Sequence, residues 1–327
     1  MSAPEKVAAE RLEGVVARVD ARGCLVRLVT QRADLPGGGR ELWCSVAGKL
    51  HLKDRTGQKT PVAVGDRVIV RLEAGNEERR VAHIAELFPR TSMLSRPASH
   101  GGRIEHVLAA NVDQVLIVTS AAAPDFNPSL VDRLLAVVEW SRLGALLVLN
   151  KMDLVTQEPA EVAAYRALGY DVFPVSAATG AGVAELRGRL AGKVSVVTGH
   201  SGVGKSSVLN ALEPGLGLVV GEVNAVSGRG THTTTAAVFV ELAAGGAVID
   251  TAGVREFGLF KIPSRELSWL FRDLAAVAPG CKFGDCSHTH EPGCAIEAAV
   301  EDGRIAPFRY DSYLKILESM QGGPGPG

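Results

Sequence analysis

The glycine-rich stretch at residues 193–207, KVSVVTGHSGVGKSS, contains the residues best suited to bind a phosphate group. Gly199, Gly204, Lys205 and Ser206 match the pattern G-x-x-x-x-G-K-[ST]. In this pattern backbone N–H groups surround the phosphates, the lysine reaches the β and γ oxygens, and the hydroxyl ligates Mg²⁺. The stretch therefore predicts a strand rich in β-branched residues, followed by a phosphate-binding loop and the start of a helix. The alternative is a glycine-rich turn that binds no ligand.

Two strand ends upstream of this loop carry residues that can read a nucleobase. NKMD, beginning at Asn150 and Lys151, follows the apolar run ALLVL, and SAA at residues 176–178 follows DVFPV. The Asp153 carboxylate can accept from the ring N1–H and the exocyclic amine of guanine, which adenine cannot offer together. Backbone N–H groups of the Ser176 segment would contact the guanine O6. The alternative is that Asp153 merely caps a helix.

Downstream of the loop, the apolar run GAVID ends in the D-x-x-G sequence Asp250-Thr-Ala-Gly253. In this pattern the carboxylate holds Mg²⁺ through water and the glycine N–H contacts the γ-phosphate. A long polar segment at residues 221–235 separates the two motifs and contains GRGTHTTT, so one of its threonines should complete the Mg²⁺ shell. The residues predicted to bind the nucleotide are Asn150, Lys151, Asp153, Ser176, Ala177, Ala178, Gly199, Ser201, Gly202, Val203, Gly204, Lys205, Ser206, Ser207, Asp250 and Gly253.

Four potential metal ligands occur within 14 residues near the C-terminus. Cys281, Cys286, His288 and Cys294 have the spacing C-x₄-C-x-H-x₅-C, and His290 is a competing histidine. Three thiolates and one imidazole suit a closed tetrahedral Zn²⁺ site, so we expect one structural zinc ion. Cys24 and Cys44 are isolated in the sequence and are predicted to pack as small apolar side chains.

The elements that position these residues divide the 327-residue chain into three parts. Five apolar stretches before residue 90 predict a small five-stranded barrel, OB-like or of SH3 type, with Val68, Val70 and Leu72 on its inner face. Through Arg103 the sequence has 18 Lys and Arg against 12 Asp and Glu, which favours a polyanionic partner. Only Trp43 and Phe88 are aromatic in this region, which favours backbone contacts over base stacking.

The middle of the chain alternates strand and helix patterns, and the last part is predicted to be helical. Strands at QVLIVTS, ALLVLN, DVFPVS and the loop strand alternate with helices, which predicts a parallel sheet. TAAVFVEL and GAVID predict a hairpin that turns at Gly245-Gly246. Residues 89–104 are rich in Pro, Ser, Gly and Arg and predict a linker. No apolar run of about 18 residues and no charged-then-apolar leader are found, which argues against a membrane span and a secretory signal.

In ordinary GTPases the phosphate loop precedes the base-reading sequences. Here the base-reading sequences come first, so the order of the motifs is permuted. This order, with HTTT at His232, DTAGVREFGL and the terminal Cys/His cluster, resembles the circularly permuted GTPases of the RsgA (YjeQ/YloQ) family over nearly the whole chain. The family usually has proline where Ala252 stands. The resemblance implies an N-terminal OB-fold RNA-binding domain at 1–90, a GTPase domain at 91–258 and a zinc-binding domain with a flexible tail at 259–327.

The resemblance also implies how the reaction is catalysed. Many GTPases orient the attacking water with a glutamine directly after D-x-x-G, but this chain has Val254 there. The family resemblance assigns that role to His232, with Thr234 as the threonine on γ-phosphate and Mg²⁺ and with Lys205 as a further catalytic residue. Ser206 and Asp250 would complete the Mg²⁺ site, and His288 is favoured over His290 for zinc. From the residues alone, His232 could be a solvated loop histidine, and the choice among Thr233, Thr234 and Thr235 stays open.

The implied function is GTP hydrolysis to GDP and phosphate, stimulated by the 30S ribosomal subunit, in late maturation of that subunit. The implied partners are the 30S subunit and its 16S rRNA, with a cytoplasmic monomer and no membrane. Two alternatives remain open. One is an rRNA-binding assembly factor that uses guanine nucleotide as a structural ligand, and the other is an ATP-using P-loop enzyme, which Asp153 disfavours.

Overall fold

The computed structural model describes residues 10–20, 23–32, 35, 39–46, 62–73, 81–97, 105–217, 237–250, 259 and 262–321. The chain divides into two compact units. The first unit comprises residues 1–112, 232–241 and 247–252, and the second comprises 113–231, 242–246 and 253–327. Among the helices that the structure describes, none is both long enough and apolar enough to cross a membrane.

Five strands of the first unit close into a barrel, which confirms the predicted fold of this region. They are β1 (Glu10–Asp20), β2 (Gly23–Leu28), β3 (Glu41–Val46), β4 (Arg67–Glu73) and β5 (Val81–Leu87). The strand order is β1-β2-β3-β5-β4, and pairing of β1 with β4 closes the barrel. Val68 and Val70 are fully buried, whereas Arg67 is exposed and Ile69 is half-buried, so the alternation places one face of β4 in the core.

A short hairpin follows the barrel where the sequence predicted a linker. Strand β6 (Met93–Pro97) pairs antiparallel with β7 (Glu105–Ala110). Leu94 and Val107 are buried, at 1% and 3% exposure. The linker prediction was therefore wrong for residues 93–97. The prediction was wrong because Met93 and Leu94 form the only apolar pair of this strand, and the Ser, Pro and Arg residues around them are common in loops.

The predicted hairpin of TAAVFVEL and GAVID is confirmed and joins the barrel. Strands β12 (Val238–Glu241) and β13 (Ala247–Asp250) pair antiparallel, and the turn between them uses positive φ at Gly245 and Gly246. Strand β12 also pairs with β1, with Val238 opposite Arg18. The hairpin therefore extends the sheet of the first unit.

The second unit contains the predicted parallel sheet. Its strands are β8 (Gln114–Ser120), β9 (Gly144–Asn150), β10 (Asp171–Pro174) and β11 (Val194–Thr198), in the order β10-β9-β8-β11. Every residue of β8 is buried, as expected for a strand covered on both faces. The accompanying helices are α1 (Pro128–Trp140), α2 (Val162–Ala167), α3 (Val183–Leu190) and α4 (Lys205–Leu212). Because all four strands are parallel, their carboxyl ends meet at one edge, where ligands bind in such folds.

The C-terminal part of the second unit is mostly helical, as predicted. It contains a 3₁₀ helix (Ser264–Leu270) and the helices α5 (Arg272–Val277), α6 (Ala295–Glu301) and α7 (Pro307–Gln321). Helix α7 packs on α1, and Arg309 of α7 forms a buried ion pair with Asp132 of α1. Arg309 also donates to Asp273 of α5 at 2.9 and 2.8 Å. A buried charged cluster therefore joins three helices.

Candidate functional site

The glycine-rich loop between β11 and α4 has the backbone geometry of a phosphate-binding loop. Gly199, Gly202 and Gly204 have φ values of 143°, 84° and 93°, a region that side chains disfavour. A Cβ at Gly199 would lie 2.0 Å from the Val118 carbonyl oxygen. Only glycine lets the loop pass this close to β8. Helix α4 begins at Lys205, so its N-terminus faces the loop.

Lys205 holds its ammonium group against this loop. Its Nζ donates to the carbonyl oxygens of Gly199 and His200, at 2.9 and 2.8 Å. Ser206 and Ser207 follow in the first turn of α4 and are half-buried. The loop therefore concentrates a lysine charge and the helix N-terminus, both of which attract phosphate oxygens.

Asn150 connects the phosphate loop to the segment predicted to contact the base. Its side chain is only 2% exposed. Its Nδ2 donates to the Val203 carbonyl at 2.9 Å, and its Oδ1 accepts from the Ala177 N–H at 3.1 Å. A Cβ at Gly204 would lie 2.4 Å from this Nδ2, so glycine is required there as well. Asn150 thus fixes the distance between two ligand-binding segments.

Lys151 makes a second connection to the same loop. It adopts the left-handed conformation, with φ 64°, and its Nζ donates to the Gly202 carbonyl at 2.7 Å. The same Nζ donates to the carbonyl of Ala123, in the segment after β8. The sequence did not indicate Ala123, because a backbone carbonyl in an irregular segment carries no motif.

Asp153 and Ser176, which follow the neighbouring strands β9 and β10, are hydrogen-bonded to each other. The Ser176 hydroxyl donates to Asp153 Oδ1 at 2.6 Å and accepts from the Thr179 N–H at 3.1 Å. Ser176 is buried, whereas Asp153 and Ala178 are exposed. A buried hydroxyl thus orients a carboxylate whose side chain remains accessible.

The remaining predicted nucleotide residues are only partly covered by the structure. Asp250 ends strand β13 in the first unit and is half-buried. His232, Thr233, Thr234, Thr235 and Gly253 lie outside the described residues. Their roles stay predictions.

The Cys/His cluster has the dimensions of a tetrahedral metal centre. One ligand atom each from Cys281, Cys286, His288 and Cys294 lies within 4.8 Å of all the others. His288 Nδ1 is 3.5 Å from Cys281 Sγ and 3.6 Å from Cys294 Sγ. Tetrahedral bonds of about 2.3 Å to sulfur and about 2.0 Å to nitrogen require S···N separations of about 3.5 Å. The four side chains therefore fit a closed zinc site, and the exposed His290 is not among them.

Neighbouring side chains hold this metal-binding loop in shape. Tyr310 donates to the His288 carbonyl at 2.8 Å, and Tyr313 donates to the Ser287 carbonyl at 2.9 Å. The Glu291 carboxylate accepts from the Ser287 hydroxyl and N–H at 2.6 and 2.8 Å, and these bonds hold the pKa of Glu291 well below its usual range. Glu291 is a residue that the sequence analysis missed, because one acid in a polar loop has no distinguishing pattern.

Both the sequence and the fold resemble those of known proteins. A family model described as RsgA GTPase matches residues 87–260. The chain is 39% identical to the small ribosomal subunit biogenesis GTPase RsgA of Porphyromonas gingivalis, covering 94% of this chain and 96% of that protein. The protein of the same name from Chlorobaculum parvum is 40% identical, with 95% and 99% covered.

Two solved structures resemble the fold over nearly the whole chain. The crystal structure of YjeQ from Thermotoga maritima superposes with a TM-score of 0.70 at 31% identity, covering 96% of this chain and 99% of that one. YloQ, a circularly permuted GTPase, superposes with a TM-score of 0.69 at 28% identity, covering 99% and 100%. The permuted order of motifs in this sequence therefore has counterparts of known structure.

Proposed function

The chain belongs to the RsgA GTPase family and is a GTP hydrolase. On this basis, we propose that it binds the small ribosomal subunit and hydrolyses GTP during maturation of that subunit. The names of the relatives support the ribosomal role. The proposed partners are the 30S subunit and its 16S rRNA. We also propose that the protein acts as a monomer in the cytoplasm. We also propose the domain limits 1–90, 91–258 and 259–327.

One observation carries the nucleotide-binding part of this proposal. Asn150 and Lys151 of the NKMD sequence donate to the Val203 and Gly202 carbonyls of the phosphate loop, at 2.9 and 2.7 Å. Base-reading and phosphate-binding segments that are distant in the sequence are thereby held at one edge of the sheet. A single nucleoside triphosphate can occupy both.

The predicted site residues, of which His232, Thr234 and Gly253 lie outside the described part of the chain, would bind and orient GTP as follows. Exposed Asp153, held by Ser176, accepts from the guanine N1–H and amine, and the Ala177 and Ala178 segment faces O6. Loop residues from Gly199 through Gly204, including Ser201 and Val203, surround the phosphates, and Lys205 neutralises the charge that develops on them. Ser206, with Asp250 and Thr234, would hold Mg²⁺, which lowers the charge on the phosphate oxygens. His232 would orient the attacking water, and Gly253 would contact the γ-phosphate.

We propose that the Cys281, Cys286, His288 and Cys294 centre binds one Zn²⁺ with a structural role. All four positions come from protein side chains, so no coordination position remains for substrate. The support from Tyr310 and Tyr313 of α7 connects the metal loop to the helical part of the second unit.

The test of the proposed function is GTP turnover with and without purified 30S subunits. We expect slow phosphate release from the protein alone and faster release when subunits are added. Equal rates in the two conditions would favour a role for the nucleotide as a structural ligand instead. Recognition of guanine is tested by titrating the Asp153→Asn variant with GTP and with ATP. This variant should lose affinity for GTP selectively. Asp125→Asn, which replaces an exposed acid of the same unit, is the control and should keep its affinity for GTP.

A further inference from the structure

An outward row of side chains crosses four strands of the first unit. Trp43 on β3 lies opposite Leu25 on β2, Leu25 lies opposite Arg18 on β1, and Arg18 lies opposite Val238 on β12. Residues directly opposite each other in antiparallel pairs point to the same face of a sheet. We call these four residues the Trp43 row.

The Trp43 row faces solvent rather than the barrel core. Trp43 is 51% exposed and Val238 is 42% exposed, whereas the neighbours of Trp43 in β3, Leu42 and Cys44, are buried. An exposed indole presents one of the largest flat apolar surfaces of any side chain, so it can stack on the ring of a partner. Here the indole lies in one row with the half-buried Leu25 and the exposed Val238, and this apolar row, rather than the tryptophan alone, forms the candidate contact surface.

A positively charged group lies beside the indole ring. The guanidinium carbon of Arg18 is 5.8 Å from the Trp43 ring centroid, within the range of a cation–π contact. Arg18 has Asp20 as a second partner, with Nη2 and Oδ2 separated by 3.4 Å. This ion pair is partly exposed, so its energy is small and a phosphate can replace the carboxylate.

The charge of the N-terminal sequence favours a polyanion as the occupant. Residues 1–103 carry 18 Lys and Arg against 12 Asp and Glu. Four of these basic residues, Lys49, Lys53, Arg55 and Lys59, and only one of the acids, Asp54, fall in residues 47–61, which directly follow β3 in the sequence. A flat aromatic face beside arginine within a basic region is the combination by which barrels of this type bind unpaired bases and their backbone.

We propose that the Trp43 row is the surface on which this protein stacks an unpaired nucleobase of RNA. The inference rests on the proposed function, in which the RNA belongs to the small ribosomal subunit. It differs from the sequence-based expectation, which favours backbone contacts over base stacking. Trp43 supplies the stacking face, Arg18 contacts the adjoining phosphate, and Leu25 and Val238 extend the apolar floor.

Tryptophan fluorescence can test the stacking directly. The chain has three tryptophans, so Trp140→Phe combined with Trp269→Phe leaves Trp43 as the only one. Titration with a short single-stranded oligoadenylate should quench its emission to saturation, and added salt should weaken the binding. Duplex RNA of the same length should quench it much less. Unchanged emission at concentrations where the oligonucleotide is bound would overturn the proposal.

Affinity measurements separate stacking from loss of folding. Trp43→Ala should bind the oligoadenylate at least fivefold more weakly, whereas Trp43→Phe, which keeps a ring, should recover most of the affinity. Trp140→Ala, an exposed tryptophan at the end of α1, is the matched control and should bind like the wild type. Equal affinity of Trp43→Ala and wild type would contradict the proposal.

Turnover with 30S subunits distinguishes failure of this inference from failure of the proposed function. If subunits do not stimulate the wild type, the proposed function fails. If they stimulate wild type and Trp43→Ala with the same half-maximal subunit concentration, the Trp43 row is not the contact surface. We expect Trp43→Ala to keep its unstimulated rate and to need a several-fold higher subunit concentration.

Discussion

At the scale of single residues, Asn150 shows that a motif residue can act on the protein itself rather than on its ligand. Its two hydrogen bonds end on the Val203 carbonyl and the Ala177 N–H, so it aligns the phosphate loop with the base-contacting segment. The NKMD pattern predicted that Asn150 belongs to the site. It could not show which atoms the amide joins, because both partners are backbone groups of segments remote in sequence.

Replacing Asn150 by alanine should therefore weaken GTP binding. The change leaves the partly buried Ala177 N–H and the buried Val203 carbonyl unpaired, and an unpaired buried group costs about 1–3 kcal/mol. Because Asn150 aligns the two ligand-binding segments, part of this free energy is lost from GTP binding. We therefore expect the affinity for GTP to fall about tenfold or more in a fluorescent-GTP titration. Asn127→Ala removes an amide that caps α1, with Oδ1 3.1 Å from the Leu130 N–H. This control should lower stability and leave GTP affinity within about twofold of wild type.

The five cysteines should fall into two groups by reactivity. Burial raises the pKa of Cys24 to about 11 and of Cys44 to about 12, so almost no thiolate exists at neutral pH. We expect a thiol reagent at pH 7.5 to label neither of them in the folded protein. Cys281, Cys286 and Cys294 should be protected while metal is bound and should react after chelation. Labelling of Cys24 or Cys44 before denaturation would contradict this grouping.

At the scale of elements, the sequence predicted the types of most strands and helices because their apolar periods are clear. The barrel strands alternate, and β8 is a continuous apolar run. The β6–β7 hairpin was missed because β6 is short and has only two apolar residues at its start, and Leu94 is recognised as a core residue only once its pairing with β7 is known. Arg309 was missed for a related reason, since an arginine on a helix is usually exposed.

Arg309 should be among the most sensitive positions of the second unit. It is 2% exposed and joins Asp132 of α1 to Asp273 of α5. Breaking a buried ion pair on one side costs about 3–5 kcal/mol, and we expect a loss of this size for Arg309→Met in denaturant unfolding. Arg304→Met, whose exposed partner is Asp302, should leave the unfolding midpoint unchanged.

The loss caused by Arg309→Met should also depend on pH. Burial raises the pKa of Asp132 to about 6 even though Arg309 opposes this shift. Without the guanidinium the pKa rises further, and a protonated Asp132 needs no counter-charge. The folded variant therefore favours the protonated acid, so its deficit in stability should be smaller at pH 5 than at pH 8. A deficit that does not vary with pH would indicate that Asp132 is not the group left unpaired.

At the scale of the whole molecule, the permuted order places the two predicted switch motifs on either side of one hairpin. HTTT at residues 232–235 precedes β12 in the sequence, and Asp250 of D-x-x-G ends β13. Strand β12 also pairs with β1 of the barrel at Val238 and Arg18. The hairpin that connects the proposed GTP-sensing segments is therefore part of the sheet that carries the proposed RNA surface. In the sequence, only a few residues separate β12 of this sheet from His232, the proposed catalytic residue.

We expect RNA binding to influence His232 through this connection. If His232 orients the attacking water, His232→Ala should keep GTP affinity and lose about a hundredfold or more in turnover, both alone and with 30S subunits, since positioned proton acceptors contribute about 10²–10⁴-fold. The measurements are a fluorescent-GTP titration and single-turnover phosphate release. His290→Ala, an exposed histidine outside the metal cluster, is the matched control and should hydrolyse GTP like the wild type. Turnover of His232→Ala that subunits fully restore would mean that the ribosome, rather than this chain, supplies the group that orients the water.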